Sequence, residues 1–315
     1  MNLSGRFQAV LHSHPNKKIL GYKQNKKWNW VTRNELKNKV LYCVDVLKNQ
    51  NVKLNDRIMY KGNNSVNWAA WSIATNSLGG IFVPLYQNQN EKYVYHIIED
   101  CDPKLFITNN VYKNVNIFND CIEDINSNEI VPVEPKSDIS KLIYTSGTTG
   151  KPKGVMLTHE NILHNIQNIE KRFHDLRNDR EYTTLSILPW AHIYGLTTEL
   201  YYNMLNNNSS YIYIKWLLHK LPYHKSEKIF ALASTKLKKN GLIFIEVRSI
   251  HDRILIEKST YDNTDQSYST LHKRWLYNKQ LFDYFSTKYN CKIIYYKEGF
   301  FLENENKNNI PYKVL

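Results

Sequence analysis

From its start the chain switches repeatedly between strict apolar–polar alternation and the wider spacing of an amphipathic helix. Residues 19–31, "ILGYKQNKKWNWV", alternate around a polar centre and predict a β-hairpin. "TRNELKNKVLYCVDVLKNQ" then predicts a helix. Thr32 stands as N-cap with Glu35 three residues on, a capping box, and Leu36, Val40, Cys43, Val44 and Leu47 fall on one face. Beyond it, "DRIMYKG" predicts a strand, "SVNWAAWSIATNSLGG" a helix stopped by Gly79 and Gly80, and "IFVPLY" a buried strand. "EKYVYHIIEDCD" reads as helix and "KLFITN" as strand. Such alternation predicts an α/β fold with a parallel sheet.

Residues 110–140 are polar and irregular, carry Pro132 and Pro135, and read as a crossing to the next unit. "KLIYTS" is an apolar strand that feeds a glycine-rich loop, "THENILHNIQNIEKRF" a helix with Thr158 or His159 at its cap, and "TTLSILPW" a further strand. The Asn/Ser run at 203–210, "NMLNNNSS", marks a seam. After it, "YIYIKW" and "LIFIEVRS" read as strands around a helix over "YHKSEKIFALASTKLKK" that Asn240 and Gly241 stop. "NKQLFDYFSTKY" reads as helix, and "CKIIYYKEG" and "PYKVL" as two terminal strands.

With 315 residues, 42% hydrophobic, the chain has enough interior for one large or two ordinary domains. Its formal charge is +13, but the lysines are spread along the whole length, which defines no specific nucleic-acid site and suits polyanionic substrates equally. Cys43, Cys101, Cys121 and Cys291 stand far apart, without zinc spacing, as in a reducing compartment. No run reaches the roughly 18 apolar residues of a membrane span, and no signal-peptide core opens the chain. The expectation is an intracellular protein, cytoplasmic or peripheral on a membrane.

The densest chemistry lies in residues 144–154, "YTSGTTGKPKG". Gly147, Gly150 and Gly154, interleaved with Ser146, Thr148, Thr149, Lys151 and Lys153, give a flexible backbone with hydroxyl and ammonium donors suited to a polyphosphate. A Walker A loop is excluded, because Pro152 follows Lys151.

"YTSGTTGKPKGVMLTHENI" resembles the phosphate-binding signature of adenylate-forming enzymes, specifically long-chain fatty acid:CoA ligases. The resemblance spans roughly residues 5–205 and includes "LPWAHIYGLTTELY". It implies ATP, Mg²⁺ and CoA as co-reactants, a fatty acid as substrate, and formation of an acyl-adenylate followed by acyl transfer to CoA. It implies that Thr145, Ser146, Gly147, Thr148, Thr149, Gly150 and Lys151 cradle the β/γ-phosphates, that Lys153 adds charge, and that Thr148 is a Mg²⁺ ligand. It further implies an acyl pocket with His192 at its carboxylate end, lined by Trp190 or Tyr194.

Later motifs of that family have no counterpart. "YGLTTE" at 194–199 is one residue too long for the adenine motif, Thr-Gly-Asp is absent, and Gly241 and Gly299 are the only glycines after Gly195. The lid motif Pro-Lys-Thr-x-x-Gly-Lys is also missing. The expectation is weak ATP binding and little turnover.

Residues 213–315 resemble instead the second half of a class I S-adenosylmethionine-dependent methyltransferase, a doubly wound α/β segment. No two of the eleven glycines stand two residues apart, so S-adenosylmethionine is not expected to bind, and Trp216, His219, Glu246 and Arg248 are expected to be structural. The resulting division is a ligase-like fragment at 1–205, a seam at 206–212 and the methyltransferase-like half at 213–315. Two part-folds would leave sheet edges for a protein partner to cover. The alternatives are a non-catalytic ATP- or acyl-binding protein, and a methyltransferase completed by a partner chain.

Overall fold

The structure is a computed structural model. It describes residues 2–25, 27–123, 125–133, 138–146, 151–173, 186, 188–205, 211–215, 227–228, 230–231, 234, 242–246, 259–262, 267–270, 279–291, 299–301 and 312–314. The chain divides into two compact units, Met1–Arg180 with Ser186–Asn208, and Glu181–Leu185 with Ser209–Leu315.

The first unit opens on helix α1 (Leu3–His12), which the sequence reading did not anticipate. The expected hairpin follows as β1 (Lys18–Gln24) and β2 (Lys27–Thr32), antiparallel, turning where Asn25 takes a left-handed φ of 49°. Helix α2 (Arg33–Asn49) starts from the expected capping box, with Thr32 accepting from the Glu35 amide and Glu35 accepting in return from the Thr32 amide. Next come β3 (Arg57–Lys61), α3 (Val66–Ser77, capped by Ser65), β4 (Ile81–Leu85), α4 (Glu91–Cys101), β5 (Leu105–Ile107) and β6 (Ile117–Phe118). Strand β7 (Ile139–Ser146), strand β8 (Pro152–Thr158) and helix α5 (His159–Phe173) complete the succession.

The sheet order is β6-β5-β3-β4-β7-β8, parallel except for the β7–β8 hairpin. The chain leaves β3 for β4 on one side, and leaves β4 for β5 on the other side of β3. Right-handed crossovers therefore send α3 and α4 to opposite faces. Packing agrees. Trp68 of α3 meets Phe82 edge-on at 5.0 Å and Tyr60 at 6.2 Å. Val94, Ile97, Ile98 and Cys101 of α4 join Met59, Val83, Leu85 and Phe106 on the other face.

Strand β8, which the sequence reading did not anticipate, stands between the glycine-rich segment and α5. One expectation needs correction. Of the strand expected at 183–190, residues 183–185 and 187 lie outside the described residues, and residues 188–190 form a turn. The reason is tertiary: Asn64 and Glu199 take the backbone groups that a strand would give to a neighbour. A π-helical segment, Gly195–Tyr201, and a short helix α6, Tyr202–Leu205, close the unit.

In the second unit, β9 (Tyr211–Lys215) pairs parallel with β10 (Leu242–Glu246), so a crossover joins them. Strands β11 (Ser259–Asp262) and β12 (Ser267–Thr270) form an antiparallel pair, as do β13 (Gly299–Phe301) and β14 (Tyr312–Val314). Helix α7 (Lys279–Lys288) stacks Phe285 on Phe230 at 5.2 Å and pairs Lys288 with Glu227 at 2.5 Å. That hydrogen bond lowers the Glu227 carboxyl below its usual range. Trp216, His219 and Arg248 lie outside the described residues, and of Glu246 only the strand position is described. No described helix is long and apolar enough to cross a membrane.

Where α3 ends, Asn76 ties four elements together. Its amide donates to Gly80 O at 3.0 Å and to Ser140 O at 2.9 Å, and its side-chain oxygen accepts from Ser140 Oγ at 2.8 Å and from the Lys141 ammonium. Its backbone carbonyl accepts from Ser4 Oγ of α1 at 2.9 Å. Lys141 is fully buried between the rings of Phe82 and Tyr201, 5.4 Å from each centroid. Burial drives its pKa well below the usual lysine range. His159, at the start of α5, is likewise pushed down to about 4, by burial first and Lys141 second.

A lysine whose pKa is lower in the folded than in the unfolded state opposes folding below its unfolded pKa of about 10.4. The unfolded chain binds the extra proton, so stability rises with pH from the folded pKa up to that value. Lys141→Met leaves Asn76 bonded to Ser140 and removes the desolvated amine. It is expected to raise stability by about 1–3 kcal/mol at neutral pH and to flatten the alkaline rise, measured by denaturant titrations across pH.

Candidate functional site

Because β7 runs parallel to β4, Ser146 at its end lies at the same edge of the sheet as the ends of β3 and β4. Within the glycine-rich segment, residues 144–146 and 152–154 thus form the last paired positions of the β7–β8 ladder. Thr145 stands in register with Lys153, and Ser146 with Pro152. The base is clamped from α4, whose His96 Nε2 lies 3.0 Å from Pro152 O and donates there in its Nε2–H tautomer. Thr145, Lys151 and Lys153 are exposed, so their hydroxyl and ammonium groups are accessible. Gly147, Thr148, Thr149 and Gly150, including the expected Mg²⁺ ligand Thr148, lie outside the described residues.

Gly154 belongs to the ladder and not to the loop. It stands opposite Tyr144, and a Cβ there would come within 2.9 Å of Leu142 Cδ1 and 3.2 Å of Tyr144 Cζ. Its missing side chain lets those two residues lie across β8. Tyr144 in turn donates to Asp100 of α4, and burial together with that bond raises its phenol pKa.

At the same end of the sheet, a cleft of about 670 Å³ opens between the loops after β3, residues 62–64, and after β4, residues 86–90, with Tyr93, Pro189 and Ala191 on its wall. This is the crevice expected where adjacent parallel strands send their helices to opposite faces. Pro84 contributes too: the β4–β7 ladder has its register pair at Phe82 and Lys141, and two residues on Pro84 has no N–H to extend it. The walls consist mainly of amides and two phenols, and burial raises the Tyr86 phenol so that it stays neutral.

The turn at 188–190 reaches this cleft by being held. Asn64 Nδ2 donates to Leu188 O at 2.8 Å, and Asn64 Oδ1 accepts from the Trp190 amide at 2.8 Å. Glu199 accepts from the Leu188 amide at 2.9 Å and from Ser186 Oγ at 2.7 Å. Trp190 is buried against Trp68, ring centroids 5.6 Å apart, and its indole N–H donates to Ser186 Oγ at 2.8 Å. A Cβ on Gly195 would sit 2.6 Å from Pro189 O, so only glycine lets the π-helical segment lie against this turn.

The structure therefore gathers the 188–191 turn and the two strand-end loops around one cleft, and sets Thr145 and Ser146 at the same sheet edge. Trp190 is engaged in packing, while its neighbours Pro189 and Ala191 face the cleft. His192 is exposed, with its Nδ1 accepting from the Tyr194 amide at 3.2 Å, and Tyr194 is half-buried. Asn64, Gln87 and Tyr93 were missed by the sequence reading. The Asn-Asn pair just after a buried strand was the one available signal, obscured by the abundance of Asn in this chain.

Residues 7–229 match the family described as AMP-binding enzyme, a stretch that runs across residues 206–212. A long-chain-fatty-acid–CoA ligase of Bacillus subtilis is 40% identical over 93 residues, 29% of this chain and 16% of that protein. Long chain acyl-CoA synthetase 3 of Arabidopsis thaliana is 26% identical over 239 residues, 61% of this chain and 36% of that protein. Among solved structures, the fatty acyl-adenylate ligase of L. pneumophila, in complex with acyl adenylate and pyrophosphate, superposes with a TM-score of 0.59. It is 24% identical and covers 66% of this chain and 39% of its own. That likeness shows the fold, and the chain spans well under half the length of each of these proteins.

Asn64→Ala removes the two hydrogen bonds that Asn64 makes to the 188–190 turn and leaves the Trp190 amide without its acceptor. The expected loss is about 1–3 kcal/mol of stability, read as a lowered thermal midpoint.

Proposed function

The chain belongs to the AMP-binding enzyme family, and from that premise we propose that its β7–β8 hairpin holds the phosphates of ATP beside a fatty-acid carboxylate at the neighbouring cleft. The family reaction joins a carboxylate oxygen to the α-phosphorus of ATP and expels pyrophosphate. CoA thiolate then takes the acyl group and releases AMP. Such a transfer depends on neutralising phosphate charge and aligning the attack. Lys151 and Lys153 supply positive charge, and Thr145 a hydroxyl donor, at the end of the sheet that carries the cleft, and Ser146 is assigned the same role by the family resemblance. The observation that supports this reading is the clamped hairpin base, with Thr145 and Ser146 in register with Lys153 and Pro152 at the end of the sheet where the loops after β3 and β4 form the cleft.

The donors at this tip are hydroxyls and ammonium groups, and among the described residues no three His, Cys, Asp or Glu side chains converge as a metal site. A Mg²⁺ ion would therefore arrive with the nucleotide, and of the residues assigned to the phosphates Thr148 is the one whose hydroxyl would be its protein ligand. The ion would offset phosphate charge there. His192, exposed beside the cleft turn, is the group assigned to the carboxylate.

In our reading the 315-residue chain by itself turns over little. It contains no Tyr-Gly-x-Thr-Glu adenine motif, no Thr-Gly-Asp and no lid lysine motif. Edge strand β8, with Val155 and Met156 43% and 65% exposed, supports a requirement for further protein to cover the sheet. The parallel β9–β10 pair supports a doubly wound arrangement after the seam, while the methyltransferase-like reading of residues 213–315, without a G-x-G turn for S-adenosylmethionine, rests on sequence resemblance alone and overlaps the family match at 213–229.

Equilibrium ATP binding and ATP–pyrophosphate exchange with a long-chain fatty acid separate the two claims. ATP should bind, Lys151→Ala should weaken it roughly tenfold through the lost charge-assisted bonds, and exchange should stay near background. Absence of ATP binding would refute the phosphate assignment. Rapid exchange would refute the impairment.

A further inference from the structure

The hairpin β1–β2 stands apart from the site and presents an aromatic, basic face. Trp28 and Trp30 alternate on β2 with Val31 buried behind them, and they are 54% and 37% exposed. Their rings stack at 6.3 Å with 27° between planes. Trp30 lies across the backbone of Gly21, where a Cβ would meet its ring at 2.9 Å, and the Lys18 ammonium sits 5.7 Å from its centroid. Lys23 is in register opposite Trp28, and Lys27 at the tip is exposed. The chain has no acidic residue before Glu35, while Arg6, Lys17, Lys18, Lys23, Lys26, Lys27 and Arg33 all precede it.

The hairpin is also fixed in place. The Arg33 guanidinium is buried and donates to Ser13 O at 2.8 Å and Ser13 Oγ at 2.6 Å, and the amides of Arg33 and Asn34 donate to Lys17 O and Pro15 O. Two indoles are thus held outward on a short anchored sheet, in a stretch of sequence rich in basic residues.

We propose that this face docks on an anionic lipid surface. Indoles favour the membrane–water interface, and lysines beside them are attracted to anionic headgroups. A nucleic-acid strand fits less well. Base stacking needs a free ring face, and here Trp30 is covered by Gly21 and Lys18 and stacks on Trp28. The dock does not depend on the phosphate assignment at the β7–β8 hairpin, and its test does not involve ATP.

The full chain is mixed with phosphatidylcholine vesicles, with and without phosphatidylserine, and the bound fraction is read by flotation. Binding is expected only with phosphatidylserine, and to fall as salt is raised. Lys18→Gln with Lys27→Gln should weaken it roughly thirty-fold, and Trp28→Ala with Trp30→Ala at least roughly tenfold, each with an unchanged thermal melt. Three results would overturn the proposal. Both double variants could bind vesicles as the parent does. The parent could ignore vesicles but retain poly(U) through these side chains, which would assign the face to nucleic acid. Or the parent could ignore vesicles and form a dimer that the tryptophan variant abolishes, which would assign it to a second copy.

Discussion

Asn76 is the constraint on which the first unit depends. One side chain, fully bonded and buried, joins the end of α3, the residue before β4, the start of β7 and, through its carbonyl, helix α1. A buried amide is stable only when all its groups are paired, so the four elements must arrive together or the cost falls on each. Because β7 carries the glycine-rich hairpin, the bond network at one end of that strand decides where the other end emerges. Lys141 enters the same network as an amine with no carboxylate among its hydrogen-bond partners, wedged between two rings, and carries its burial cost at the heart of the sheet.

The candidate site follows from that anchoring and from chain handedness. Opposite placement of α3 and α4 opens a crevice at the ends of β3 and β4, and Pro84 leaves the β4–β7 ladder short on the same side. The 188–190 turn is drawn in by Asn64 and by Glu199, and Gly195 permits the approach. π-Helical segments recur at functional sites, and this one carries Glu199, the acceptor that holds the turn.

Much of this was legible in the sequence because it is local. The Thr32–Glu35 capping box, the period-two hairpin before it and the apolar faces of α2 and α4 each follow from neighbouring residues, and each forms as expected. What escaped depends on distant partners. Strand β8 carries a proline, a glycine and an exposed apolar run instead of a period-two pattern, and forms on the ladder that β7 offers. The stretch over 188–190 has a strand's composition but loses its amides to Asn64 and Glu199, remote in sequence or arriving from a helix. Gly154 read as loop flexibility and serves packing against Leu142 and Tyr144. At the site, the hydroxyl, lysine and glycine string was plain from the sequence, whereas the amides of the cleft were hidden in a chain rich in Asn.

The central claim is that the β7–β8 hairpin and the adjacent cleft form one nucleotide-facing wall. Hydrogen exchange of the full chain with and without Mg·ATP reads this directly, peptide by peptide. The account predicts slowed exchange confined to residues 144–154 and to the cleft segments 62–64, 86–90 and 188–192. Unchanged exchange in 144–154 while another region is protected would contradict it.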